Sequence, residues 1–193
     1  MIDNIERTTA VGDAMVDIRA IDAAGIDRDA VELIRRRLLE LAELRELFPW
    51  SDFPADESKD GSTLYLLSQD EDHRLALYIQ SVNDTTEAPP HDHLTWACIV
   101  GLEGEEINCR YDNVAGGGPP QVSEKIAIRR NTGIAFLPDD VHSIHVKGGA
   151  LNFHCYCHDL LDLLDLPARN YWADDAQEWR TMKVQFPVID ARS

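Results

Sequence analysis

The chain has 193 residues, 44% of them hydrophobic, enough apolar content to bury one full core, and that size predicts a single domain over 1-193. With 35 acidic residues against 18 basic ones, the formal charge of −17 disfavours nucleic acid and anionic membrane as partners. No apolar run approaches the roughly 18 residues of a membrane span, and no charged-then-apolar leader opens the sequence, so a cytoplasmic protein is expected.

Residues 1 to about 12 carry little periodicity and read as a loose terminus. From Asp27 the pattern changes. Val31, Leu33, Ile34, Leu38, Leu41, Leu44 and Leu47, spaced at roughly three and four behind Asp27 as a cap, predict an amphipathic helix of about twenty residues. The segment 1-50 is therefore expected to be helical. Phe48-Pro49-Trp50 ends the helix, and Arg35-Arg36-Arg37 reads as its solvated face.

After Gly61 the periodicity becomes that of strands. Leu64 to Leu67 and Leu75 to Val82 predict a hairpin, and Asn83 to Pro90 reads as a loop. Ala97 to Leu102, Glu106 to Tyr111, Gln121 to Ile128, Gly133 to Leu137, His142 to Val146 and Leu151 to Tyr156 follow as short strands. Such runs, spaced by turn residues, indicate an antiparallel sandwich or barrel over 62-158. Residues 159-193 read as a tail packing on that barrel. Cys98, Cys109, Cys155 and Cys157 lack the spacing of a disulfide framework and are expected reduced.

Chemistry concentrates in Pro89-Pro90-His91-Asp92-His93-Leu94-Thr95-Trp96. Alternation along a strand would aim His91 and His93 at one face, where both imidazoles can grip a single metal ion. A lone His-x-His also fits two unrelated surface or core histidines. About fifty residues on, Gly133-Ile134-Ala135-Phe136-Leu137-Pro138-Asp139-Asp140-Val141-His142 supplies a third candidate, His142, after a turn. His73, His145 and His158 read as surface residues, and Trp96, opposite in parity to the ligands, as core.

These two histidine motifs resemble the cupin superfamily, a double-sheet jelly-roll barrel with metal held in its mouth. The usual glutamate position of the first motif falls on Ala97, counting back from Gly104, so three imidazoles stand without a carboxylate. Within the cupins, the chain is similar to the thiol dioxygenases, the relatives of cysteine dioxygenase and 3-mercaptopropionate dioxygenase, over about residues 62 to 158. Those enzymes carry Ser-x-His-x-Tyr on a late strand. Asn152-Phe153-His154-Cys155-Tyr156 stands at that place, with Asn152, His154 and Tyr156 on one face as a hydrogen-bonded relay.

The resemblance implies Fe(II) as cofactor, a small thiol and O2 as substrates, and a sulfinic acid as product. Tyr156 is then a hydrogen-bond donor oriented by His154. Animal cysteine dioxygenases cross-link a cysteine in the glutamate position to the tyrosine. Here Cys98 is adjacent to that position but opposite in parity, so no thioether to Tyr156 is expected. For the carboxylate of a substrate such as 3-mercaptopropionate, mercaptosuccinate or cysteine, Arg169 is the candidate fork, with Tyr65 as a second donor. Other metal cupins, a zinc or manganese isomerase or a carbon-cleaving dioxygenase, and a non-catalytic binding cupin are the alternatives. Oligomeric state is not legible.

Overall fold

A computed structural model of the chain describes residues 4–55, 61–112, 118–158, 168–182 and 188–192. Two helices open it, α1 over Asn4–Ala23 and α2 over Arg28–Glu43. The loose terminus expected over the first dozen residues is corrected by α1. Val11, Ala14, Met15 and Ile18 recur at helical spacing and are all buried. That stripe is narrow, built partly on alanine, and flanked by Thr8, Thr9 and Gly12, all weak helix formers. In α2 the cap is Asp27, whose carboxylate accepts from Ala30 N at 2.8 Å, and Val31, Ile34, Leu38 and Leu41 are buried. The α-helix is shorter than the sequence predicts, because the chain tightens into a 3-10 turn at Arg45–Leu47.

Among the described residues ten strands follow: β1 Ser62–Gln69, β2 Ala76–Val82, β3 Thr85–His91, β4 Ala97–Asp112, β5 Gln121–Ile128, β6 Gly133–Phe136, β7 Val141–Tyr156, β8 Arg169–Ala173, β9 Glu178–Met182 and β10 Val188–Asp190. Their order is β10-β1-β2-β7-β3-β8-β9, and β4 pairs with β5, β6 and β7. β4 and β7 are 16 residues each, and each joins two of the short strands read from the sequence. Both turn a corner midway. At Tyr156 to Ala150, β7 pairs with β2, and at Lys147 to His142 it pairs with β3. Gly104 and Gly149 make the corner with φ of +74° and +88°, and a Cβ on Gly104 would lie 2.4 Å from the Gly149 carbonyl oxygen. Two sheets thus share two bent strands and close into a double-sheet barrel behind an N-terminal helical segment, the mainly β class expected.

Layering follows from the apolar pattern. Leu64, Leu66, Tyr78, Ala97, Ile99, Ile134, Phe136 and Tyr156 cluster inside the barrel. Alternate residues on the same strands, Tyr65, Leu67, Leu77, Cys98, Val100, Phe153 and Cys155, pack outward against α1 and α2. This half of the barrel is buried on both faces, so β2 is buried along its whole length.

The loop expected over Asn83 to Pro90 is largely strand β3, a second correction. Pro89 and Pro90 hid it, since proline cannot donate to a ladder. Here they fall in the register shift between Ala88 and His91, where pairing to β7 is interrupted.

Candidate metal centre

His91 closes β3, while Asp92 and His93 lie beyond it in a turn where Leu94 adopts φ +56°. The two imidazoles therefore converge through that turn, which corrects the strand parity expected for His91, His93 and Thr95. His142 enters from β7 with its Cα paired to that of His91. The three side chains offer ligand atoms that all lie within 4.8 Å of one another, the one such His, Cys, Asp or Glu group among the described residues.

Hydrogen bonds select the nitrogen that two of the rings can offer, while His93 Nδ1 is buried without a protein partner. His91 Nδ1 donates to the Pro89 carbonyl at 2.8 Å, and His142 Nδ1 donates to Asn108 Oδ1 at 2.6 Å. Both rings thereby keep the Nε2 lone pair free. His142 Nε2 and His93 Nε2 stand 3.3 Å apart. Two nitrogens each ~2.1 Å from one ion are separated by roughly 3.0–3.4 Å, so this spacing suits a shared metal. Burial lowers the pKa of His91 from the ordinary 6.5 to about 4, and pushes His93 and His142 well below their ordinary value, so the rings are neutral, as ligands must be. The donor set fits a divalent metal with open positions.

Around this group the structure brings three of the other candidate residues to the same space. The Tyr156 ring is 5.7 Å from that of His93, and its hydroxyl shares a 2.9 Å hydrogen bond with His154 Nδ1. Burial raises the phenol to about 12, with the Arg169 cation pulling it back, so Tyr156 stays protonated. His154 is lowered to about 3, by burial first and by Arg169 second. Arg169, at the start of β8, places its guanidinium carbon 5.7 Å from the Tyr156 ring centroid. Its charge also lowers the pKa of His91, His93 and His142. Among the described ion pairs, none involves Arg169.

Two expectations change. Tyr65 faces the helices, with its hydroxyl donating to the Pro54 carbonyl at 2.5 Å and its ring edge-on to Phe53 at 5.3 Å. It is therefore removed from the site. Both faces of β1 are apolar, so alternation gave no sign of which was interior. Asn152 is inside the barrel but does not feed His154. Its Nδ2 donates to Glu106 Oε2 at 2.8 Å, while Asn152 Oδ1 and His154 Nε2 are buried without a protein partner. The relay is reduced to its His154–Tyr156 arm. Cys98 turns toward α2, its thiol 3.5 Å from the Val31 carbonyl, while its neighbour Ala97 pairs with Tyr156. Trp96 packs with the helices and donates to Asp22 at 2.8 Å.

Sequence reasoning missed Glu106 and Asn108. Asn108 Nδ2 donates to Glu106 Oε1 at 2.7 Å, so a buried carboxylate stands behind the residue that holds His142. Burial raises Glu106 to about 7, against the pull of the two asparagine amides. The alternation Glu106-x-Asn108-x-Arg110 was visible, but polar alternate positions ordinarily face water. Register shifts at Gly101/Glu103 and Gly104/Glu106 rephase β4, so that these residues face inward with Ala97 and Ile99.

No protein-family model matches the chain, and a search of curated proteins finds no match. Similar solved structures include a cupin superfamily protein of Desulfitobacterium hafniense, at 16% identity and TM-score 0.43, with 60% of this chain and 88% of that one covered. A cupin domain of Schizosaccharomyces pombe is 10% identical at TM-score 0.43, covering 59% of this chain and 74% of that one. A DMSP lyase of Ruegeria pomeroyi is 14% identical at TM-score 0.36, with 50% of this chain covered and 42% of that one. Among the described residues, no helix is long and apolar enough to cross a membrane.

Proposed function

We propose that the protein is an Fe(II)-dependent dioxygenase of a small carboxylate-bearing thiol, which it converts to the sulfinic acid with O2. The observation that carries this reading is the half-buried Arg169 guanidinium, in none of the described ion pairs although it feels the Asp92 carboxylate at longer range, set against the Tyr156 ring beside three convergent neutral imidazoles. A cation held there is positioned for an anion that arrives with the substrate.

His91, His93 and His142 would hold the iron. When bound, Fe(II) supplies thiolate coordination and dioxygen activation, with both oxygen atoms ending on sulfur. Every other role belongs to the chain. Arg169 pairs the substrate carboxylate through two parallel N–H donors and so fixes which end of the molecule meets the histidines. Tyr156, kept protonated by burial, donates its hydroxyl hydrogen to the reacting groups when His154 Nδ1–H donates to the phenol oxygen. Phe136, packed 4.2 Å from the His142 ring and 5.5 Å from the His93 ring, keeps water from that side.

The same electrostatics rank the substrates. Cysteine and cysteamine carry an ammonium, which would meet the Arg169 cation in a desolvated space. The nearby carboxylate of Asp92 is already occupied by two Asn170 donors. A thiol acid without an amine, 3-mercaptopropionate or mercaptosuccinate, avoids that repulsion.

The test is an oxygen-electrode screen of Fe(II)-loaded protein against 3-mercaptopropionate, mercaptosuccinate, cysteine and cysteamine, with products identified by mass. The reading expects fastest consumption with the amine-free thiol acids and a product two oxygen atoms heavier. An iron-loaded protein that consumes no oxygen with any of the four contradicts it.

A further inference from the structure

Glu106 is completely buried, and its partners are two amides. Oε1 accepts from Asn108 Nδ2 at 2.7 Å and Oε2 from Asn152 Nδ2 at 2.8 Å. The two asparagines reach it from different strands, Asn108 from β4 and Asn152 from β7. A carboxylate only accepts, so each asparagine must present its NH2 end and turn its carbonyl away. The Asn152 carbonyl is then left buried without a protein partner. The Asn108 carbonyl meets His142 Nδ1 at 2.6 Å.

A carbonyl cannot donate either, so the hydrogen between Asn108 and His142 must sit on His142 Nδ1. The lone pair is thereby placed on Nε2, the atom 3.3 Å from His93 Nε2. Reversing Asn108 would set its carbonyl against a carboxylate oxygen, two acceptors with no hydrogen between them. It would also aim an NH2 group at His142 Nδ1, and the imidazole hydrogen would move to Nε2, blocking the ligand atom.

We propose that Glu106 is the positioning residue of the metal centre: by dictating the orientation of Asn108, it sets the tautomer of His142 and prepares the site for an ion before one binds. This rests on the three-histidine metal site but not on thiol oxidation. No step of it needs Glu106 to touch metal or substrate.

The test uses metal-free full-length protein at pH 8, above the value of about 7 to which burial raises Glu106. Long-range 1H–15N correlation spectra report the tautomer of each histidine, and titration with Co(II), followed by its visible absorbance, reports metal affinity. Wild-type His142 is expected wholly as the Nδ1–H form. In Glu106→Met, similar in length but with only a weakly accepting sulfur, the two tautomers are expected to mix and Co(II) affinity to fall at least about tenfold. A carboxylate moved across the pair, Glu106→Gln with Asn152→Asp, lets the new amide donate to residue 152 and accept from Asn108. That variant is expected to restore the Nδ1–H form and an affinity within about threefold of wild type.

An Nε2–H tautomer in wild type overturns the proposal. So does a folded Glu106→Met protein with unchanged tautomer and affinity, or a double variant that folds with the wrong tautomer. If Glu106→Met does not fold, the wild-type spectrum and the double variant still decide. Wild type with the Nδ1–H form but no affinity for Co(II) would instead contradict the metal site and leave the role of Glu106 standing.

Discussion

Asp92 and Asn170 hold each other at three points. Asp92 N donates to the Asn170 carbonyl at 3.1 Å, Asn170 N donates to Asp92 Oδ1 at 3.0 Å, and Asn170 Nδ2 donates to Asp92 Oδ2 at 2.5 Å. Asp92 lies between His91 and His93, and Asn170 follows Arg169, so this clamp ties the guanidinium to the imidazoles. Asp92→Ala should raise KM for a thiol acid about tenfold, the scale of lost charge-assisted hydrogen bonds, with Co(II) affinity nearly unchanged. Steady-state kinetics beside a metal titration checks both halves.

Arg169 itself should matter more. Arg169→Ala removes the carboxylate partner and should raise KM for 3-mercaptopropionate by ~10²-fold, while any slow turnover of cysteamine, which has no carboxylate, should hold or improve. Arg169→Lys keeps charge but loses the planar fork and should fall between the two. Equal losses with both thiols would show that Arg169 acts on the fold instead.

Tyr156→Phe removes one hydroxyl from a ring whose packing is otherwise kept. The account expects kcat to fall by ~10²-fold with little change in KM, since the hydrogen bond serves the reacting groups more than binding. A rise in KM with kcat intact would reassign the hydroxyl to substrate binding.

Stability of the metal-free protein should depend on pH through its buried histidines. His91, His93, His142 and His154 are all lowered by burial, His91 to about 4 and His154 to about 3. The unfolded chain takes up protons below 6.5 that the folded chain refuses. This stabilisation is complete above 6.5 and is lost as pH falls through about 4 for His91 and about 3 for His154, with His93 and His142 acting in the same direction. Glu106, raised to about 7, has the opposite sign: its contribution is complete below 4.5 and is lost as pH rises through 7. One carboxyl against four imidazoles leaves a net loss in acid. Urea denaturation at pH 7.5, 6 and 5 should show the midpoint falling at each step, and a flat series would contradict the burial of neutral rings.

The site was legible where chemistry is written in residue type and hidden where it depends on strand phase. His91, His93 and His142 could be named because few other arrangements place imidazoles at such intervals, and Tyr156 and His154 because Asn152-Phe153-His154-Cys155-Tyr156 resembles the late-strand motif of the thiol dioxygenases, with alternation holding along the unbroken end of β7. Tyr65 was misplaced because β1 is apolar on both faces, so no period distinguishes barrel interior from helix contact. Glu106 and Asn108 were hidden by the glycine corner of β4, which turns polar positions inward after Ala97 and Ile99 have set the opposite phase. In α1, a core face as slight as Val11, Ala14, Met15 and Ile18 becomes decisive only once α2 is seen to pack against it. The Asp92–Asn170 clamp joins residues 78 apart, beyond the reach of any local pattern.

The central claim is that three neutral imidazoles share one ion, and the metal content of the chain tests it most directly. Metal-free protein is loaded anaerobically with Fe(II), passed through gel filtration, and assayed for iron beside a variant carrying His93→Ala and His142→Ala. The account predicts one iron retained per wild-type chain and none by the variant, with both proteins folded. Iron retained equally by the two, or by neither, would contradict it.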